Sequence, residues 1–321
     1  MNVVFTSILK DELFSFMEFI KLSVADCKAY QYTLLDLDSF LYAENLTEKK
    51  LDVQQLDCWL DGLNVSLATK KKKLSQIKKF SDYLYTLGIP ARLPELPRNT
   101  TEFKPYVFST DEMAQIFDVS DDLILSNPNS RILAEFPVLL RILYGCGLRL
   151  GEATSLTWDD IDLSAGIIAV KYAKNKRQRV VPMSEELRRI LTLYRTSSYF
   201  DEQDRGLIFM KNNGEGRSIS SYGNVFSRIL YDLGIKNSQN TKPGSRGPCL
   251  HSLRHTFTLH SLLKAESEGR GFMETVPFLS TYLGHESLME TDKYLKARHE
   301  LYAEAHAVIA DYTFNVFPQE V

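Results

Sequence analysis

The chain has 321 residues, 44% of them hydrophobic and 25% charged, which is enough apolar surface for a packed globular protein and more length than one domain usually needs. No apolar run reaches the roughly 20 residues of a membrane-spanning helix. Ser7, Lys10 and Asp11 break up the N-terminal segment MNVVFTSILKDELF where a secretion signal needs an apolar stretch, so a cytoplasmic location is expected. The net charge of −3 argues weakly against a nucleic-acid partner. Screening confines each surface charge to about 8–10 Å, however, so local clusters outweigh the sum. Cys27, Cys58, Cys146 and Cys249 are scattered, without CxxC spacing, and are expected as reduced thiols in packed positions.

In chain order, the first 95 residues read as helices joined by polar turns, LFSFMEFIKLS among them. In LATKKKKLSQIKKFSDYLYTLGI, Leu74, Ile77, Phe80, Leu84 and Leu87 recur at helical spacing. The opposite face carries Lys70, Lys71, Lys72, Lys73, Lys78 and Lys79, which fits either a solvated helix face or a phosphate-contacting one. Pro90, Pro94, Pro97 and Pro105 then crowd a polar stretch that suits an extended linker, taken as residues 96–107. Beyond it, Ser109 and Thr110 are candidate caps for a helix. RILAEFPVLLRILYGCGLRLGEATSL reads as helix, glycine-marked break, helix. IIAVKYA and RVVPM are β-rich runs around the polar KNKRQ, a hairpin signal. Helices are expected at SEELRRILTLYR, SYGNVFSRILYDLG and LHSLRHTFTLHSLLKAE. Pro277 to Leu283 reads as a short helix stopped by Gly284, with Ser287 and Glu290 as a capping box for the next. The expected fold is mainly α: an N-terminal helical domain over 1–95, then a mixed α+β domain over 108–321 with a small antiparallel sheet.

The chemistry-bearing residues cluster in four places. His251, Arg254 and His255 lie at i, i+3 and i+4 on one face of a helix start. A His and an Arg near free backbone N–H groups suit an oxyanion, and a surface salt bridge is the plain alternative. Two His at that spacing fit zinc poorly, because Ser252 holds the place of the glutamate in HExxH. Arg149 sits alone in an apolar helix-turn, followed by Glu152, and needs a partner or a ligand phosphate. Lys174, Lys176, Arg177 and Arg179 mark the hairpin. His285 lies in a turn and Tyr294 nine residues on, where each alone could equally be a turn or core residue. Together they give two arginines, a lysine, histidines and a tyrosine without an acidic metal cage, which suits phosphoryl transfer to a protein nucleophile by charge stabilisation.

The pieces GLRLGEATSLTWDDID, KNKRQRVVP, HSLRHTF and LGHESLMETDKYLK resemble, in order and interval, a tyrosine recombinase of the phage-integrase type over roughly residues 108–300. Residues 1–95 resemble that family's core-binding domain in pattern. The resemblance implies a site-specific DNA recombinase that cuts and rejoins DNA through a 3′-phosphotyrosyl intermediate, for integration, excision or transposition of a mobile element. Arg149 and Arg254 would hold the phosphate, His251 would be a proton acceptor or phosphate ligand, and Glu152 would buttress their region. Lys174 would protonate the departing 5′ oxygen, His285 would match the L-G-H histidine, and Tyr294 the nucleophile. Lys176 shares the hairpin turn with Lys174; the eight-residue count back from Pro182 selects Lys174. Lys70, Lys71, Lys72, Lys78, Lys176, Arg177 and Arg179 are the expected DNA contacts. No cofactor or metal is expected. The implied partners are double-stranded DNA, three further copies of the chain in a homotetramer, and accessory DNA-bending or directionality factors. A type IB topoisomerase shares much of the residue set, and a non-catalytic DNA-binding regulator could keep the fold.

Overall fold

The computed structural model describes residues 4–23, 27–96, 105–127, 129–171, 178–197, 200, 206–236 and 247–284, and the chain divides into two units, Met1–Glu102 and Phe103–Val321.

The described part of the first unit is built from α1 (Lys10–Ser23), α2 (Lys28–Ala43), α3 (Val53–Gly62) and α4 (Leu67–Thr86). Local chemistry sets their starts. Asp52 accepts the Gln55 N–H at 2.9 Å while the Gln55 side chain takes the Asp52 N–H at 3.1 Å, a reciprocal cap for α3. Ser66 caps α4 by accepting the Thr69 N–H. Leu13, Phe16, Leu34, Leu37, Ile77, Phe80 and Leu84 are buried together, with the Phe16 and Phe80 rings 5.2 Å apart. The apolar stripe of α4 ends at Leu84, because Leu87 is the helix cap and is 50% exposed. Two buried polar ties fix the register of the helices. Thr33 donates to Gln76 at 2.6 Å, and Asp38 accepts the N–H groups of Thr6 and Ser7 at 2.7 and 2.9 Å.

The lysines of α4 do not share one fate. Lys73 reaches Asp36 at 2.6 Å and lies 5.7 Å from the Trp59 ring, Lys79 sits over Tyr30 at 5.5 Å, and Lys70 lies 3.7 Å from Asp61. Lys72 and Lys78 are exposed and Lys71 half-buried.

In the second unit the order is α5 (Thr110–Ser126), α6 (Arg131–Cys146), α7 (Leu150–Thr154), β1 (Ile161–Asp162), β2 (Ile167–Val170), β3 (Arg179–Pro182), α8 (Glu185–Arg195), α9 (Ile219–Asp232), α10 (Leu250–Ser267) and α11 (Phe272–Leu283). Ser109 is the cap of α5: it accepts the Glu112 N–H at 3.1 Å, and Glu112 takes the Ser109 N–H at 2.8 Å. Helix α6 is buried along most of its length and lies against α5, α8 and α10. The strands form one antiparallel sheet in the order β1-β2-β3, with Ile168 opposite Val181 and Val170 opposite Arg179. Residues 172–177, between β2 and β3, lie outside the described residues.

Two expectations are corrected. Helix α11 begins at Phe272, not Pro277, because the N–H groups of Glu274 and Thr275 already bond the Gly271 carbonyl. The helix is nucleated before the proline, which then removes a single later bond. All four cysteines are free, but only Cys146 is buried; Cys58 and Cys249 are exposed, one on the outer face of α3 and the other capping α10.

The second unit also buries a charge completely. Glu135, 0% exposed, accepts from Arg131 at 3.1 Å, Arg217 at 2.9 Å, the Tyr222 hydroxyl at 2.6 Å and the Met210 N–H at 3.1 Å. One carboxylate therefore ties α6, α9 and the segment between α8 and α9. Breaking such a network strands its partners, so Glu135→Ala is expected to lower the unfolding free energy by about 3–5 kcal/mol. Urea denaturation of the full chain checks this, and a loss below about 1 kcal/mol would show that the network is not a structural tie.

Candidate active site

The site begins at two helix ends. Helix α6 stops at Gly147, with φ 61°. A Cβ there would meet Cδ1 of Phe257 at 2.4 Å, so both the left-handed backbone and the lack of space demand glycine. Helix α11 stops at Gly284, with φ 65°, where a Cβ would lie 3.3 Å from Nη1 of Arg179. These tight endings bring the C-terminal carbonyls of both helices to the side of α10.

Arg254, on α10, fills the gap between them. It is 3% exposed, and it donates from Nη1 to the Gly147 carbonyl and from Nη2 to the Leu283 carbonyl, both at 2.7 Å. Carbonyls at helix C-termini lack intrahelical donors and carry the negative end of the helix dipole. A guanidinium is thus a fitting partner, and its burial is compensated by two charge-assisted bonds. Helix α10 is itself fixed by Ser252, whose Oγ accepts the Cys249 N–H at 3.1 Å, and by Thr256, which takes the Phe108 N–H at 3.0 Å.

Arg149 opens α7 and points toward the same turn. Its Nη1 donates to Glu152 Oε1 at 3.1 Å and its Nη2 to the Gly284 carbonyl at 3.5 Å. Two arginines from different elements therefore meet on consecutive carbonyls, those of Leu283 and Gly284. Glu152, 3% exposed, is the anion between them and the sheet. It accepts the Arg149 backbone N–H at 3.0 Å and both terminal nitrogens of Arg179, at 3.2 and 2.7 Å. Burial alone would raise its carboxyl pKa. The hydrogen bonds of Arg179 and of the Arg149 backbone, with the charge of Arg179, outweigh that and hold it below the usual value.

Of the sequence-derived catalytic set, Arg149, His251 and Arg254 lie in the described residues. Arg149 and Arg254 converge on the turn that precedes His285. His251 is exposed on the first turn of α10, with its ring 4.7 Å from that of His255. Lys174, His285 and Tyr294, together with the hairpin residues Lys176 and Arg177, lie outside the described residues. Arg179, expected among the DNA-facing hairpin residues, turns its guanidinium onto Glu152 and is 11% exposed at its side chain. The carbonyl anchors of Arg254 carry no side-chain signal, so the sequence reading missed them. The glycines at 147 and 284, which make those anchors reachable, were the only trace.

This geometry belongs to a class. Residues 107–300 match the model of the phage integrase family, and the chain belongs to that family of tyrosine-type site-specific DNA recombinases. Tyrosine recombinase XerC of Chlorobaculum tepidum is 29% identical over 265 residues, covering 73% of this chain and 72% of its own. XerC of Staphylococcus aureus is 25% identical over 289 residues, covering 87% and 89%. The fold is shared with a lambda integrase dimer bound to a COC′ core site, at TM-score 0.65 and 15% identity over 88% of this chain and 94% of that one. It is shared too with the XerH recombinase bound to a palindromic difH substrate, at TM-score 0.62 and 20% identity over 86% and 78%.

Glu152 gives the site a pH signature. Because its folded-state pKa lies below the ordinary carboxylate value, the ionised group contributes stability above that value and loses it as pH falls through the folded pKa. Glu152→Gln should be less stable than the native chain at pH 7 by about 2 kcal/mol, the scale of a charge-assisted hydrogen bond. Denaturant titrations at stepped pH should show this gap closing in acid below the ordinary glutamate range. A gap that stays constant with pH would mean that Glu152 acts by shape and not by charge.

Proposed function

We propose that this chain cuts a strand of duplex DNA with Tyr294, holds it as a 3′-phosphotyrosyl ester and rejoins it to a new 5′ end, as in integration, excision or transposition of a mobile element. The observation that carries the reading is the convergence of Arg149 and Arg254 on the turn that leads directly into His285. In cleavage the Tyr294 Oη–P bond forms and the P–O5′ bond breaks. The phenol proton passes to a base, and the 5′ oxygen takes a proton from Lys174. A neutral tyrosine, with an ordinary pKa of about 10, is a poor nucleophile. The two guanidiniums offset this by stabilising the charge that builds on the nonbridging oxygens. His251, exposed at the start of α10, acts as proton acceptor or phosphate ligand near pH 7, and His285 adds a further phosphate contact. One phosphoester replaces another, so the exchange needs neither ATP nor metal. Tyr282, on α11, suits packing and not attack. Burial raises its phenol pKa, the neighbouring Cys146 raises it further, and its ring stacks on Phe257 at 5.6 Å.

In this reading residues 1–95 are the DNA-clamping core-binding domain and residues 108–321 the catalytic domain, with four protomers in the active synapse in the cytoplasm. Lys176 and Arg177 add hairpin contacts to the DNA. Support for the DNA partner comes from the related structures, which are complexes with DNA. The unpaired state of all four cysteines fits a reducing compartment. On α4, Lys72 and Lys78 are exposed and suit phosphate contacts, with Lys71 beside them; Lys70 is partly engaged by Asp61.

Two experiments test this. Tyr294→Phe should bind duplex DNA normally and form no covalent adduct with a nicked suicide substrate on a denaturing gel; adduct at the native level would sink the assignment. Replacing Lys71, Lys72 and Lys78 by Ala should reduce the slope of log affinity against log salt by nearly one unit for each phosphate that the variant no longer neutralises. An unchanged slope would return α4 to an ordinary solvated face.

A further inference from the structure

Arg179 is the one arginine of the basic hairpin whose side chain is described, and it does not face solvent. Both of its terminal nitrogens are on Glu152, at 3.2 and 2.7 Å, and its side chain is 11% exposed. The same carboxylate holds the Arg149 side chain at 3.1 Å and the Arg149 backbone N–H at 3.0 Å. The four bonds fill the roughly four lone-pair positions of a carboxylate. The other side of the Arg179 guanidinium lies against Gly284, close enough that a Cβ there would stand 3.3 Å from Nη1 and 3.5 Å from Cζ. One arginine on β3 therefore touches both the acid that orients Arg149 and the turn whose carbonyl Arg149 grips.

We infer that Arg179 is a positioning residue: through Glu152 it fixes the rotamer of Arg149, and so the phosphate clamp, without touching the DNA itself. The inference rests on the proposed phosphotyrosyl chemistry. The physical case is the fork. A bidentate guanidinium–carboxylate pair sets the rotation as well as the location of the carboxylate, and Arg149 binds the edge of that carboxylate which Arg179 orients. A lysine at 179 would keep the positive charge beside buried Glu152 but, as a single rotatable ammonium, would not fix its plane. Gly284 fits the same account, since a Cβ there would stand 3.3 Å from Arg179 Nη1 and oblige the guanidinium to give by a few tenths of an ångström.

The test separates the parts of the reaction by substrate chemistry, with the native chain, Arg149→Ala and Lys174→Ala alongside Arg179→Lys. A DNA with a methylphosphonate at the scissile position replaces one charged nonbridging oxygen by methyl, so its transition state has less charge for a guanidinium to hold. A DNA with a 5′-bridging sulfur loses its leaving group as a thiolate, without a proton donor. Arg179→Lys should bind duplex DNA as the native chain does and melt cooperatively. It should form adduct on ordinary DNA about 10²-fold more slowly, the scale of a small misplacement of a catalytic group. Methylphosphonate should close most of that deficit, as is expected for Arg149→Ala, and bridging sulfur should not, in contrast to the expectation for Lys174→Ala. Native-rate cleavage by Arg179→Lys overturns the inference. So does rescue by sulfur alone, which would route Arg179 through the lysine, and so does rescue by neither substrate, which would place the defect outside the phosphate clamp. If the native chain itself formed no adduct, the underlying chemistry would fall first; an adduct-forming native chain with an indifferent Arg179→Lys sinks this inference alone.

Discussion

A guanidinium buried between two helix C-termini is the constraint on which the second unit depends. Arg254 has almost no access to water, and an isolated buried charge of that kind is strongly unfavourable. It is tolerated because α6 and α11 each end in a left-handed glycine and present a carbonyl at 2.7 Å. Move either helix end and the arginine loses a partner, and the helix end loses its donor. The positions of α6, α10 and α11 are therefore coupled through one side chain. A positive charge held this way is already oriented by the protein itself, which under the proposed chemistry is the condition for stabilising a transition state without reorganising.

The second organising group is an acid, Glu152, set between two arginines. Arg149 and Arg179 approach the same few ångströms of space, where two guanidiniums repel. Glu152 lies between them and bonds both, converting repulsion into a fixed triad with a net single positive charge. Its lowered pKa keeps it ionised through the neutral range, so it does not compete as a proton donor. Cys146, at the C-terminal end of α6, is pushed up to about 12 by burial, which leaves that thiol inert as a nucleophile.

In the first unit a run of like charges proves to be several different things. Lys73 and Lys79 lie over aromatic rings, and Lys73 also meets an aspartate. Their long alkyl stems cover apolar surface while the ammonium finds a partner at its edge. The exposed part of the cluster is correspondingly smaller than the six lysines of the sequence suggest.

Much of this molecule could be read from its residues in order. Period-3.6 stripes such as Ile77, Phe80 and Leu84, the cap at Ser109, and the β-rich runs around a polar turn are local signals, and the elements they mark formed where local chemistry dictates. The catalytic family was legible for the same reason: its motifs are short and contiguous, and a side chain such as Arg149 in an apolar turn calls for an anion wherever it ends up. What local signals cannot carry is partnership across the chain. Nothing near Arg254 announces that its partners are the backbone carbonyls of Gly147 and Leu283, 107 and 29 residues away, since a carbonyl looks the same at every position. Nothing near Arg179 says that it faces a glutamate 27 residues back, because a basic hairpin has the same composition whatever it meets. The start of α11 ahead of Pro277 and the exposure of Cys58 and Cys249 were likewise decided by which turns closed and which faces found a neighbour. Side-chain type and spacing determined the elements and the chemistry available to them; only the packing of helix ends against one another decided which charge meets which.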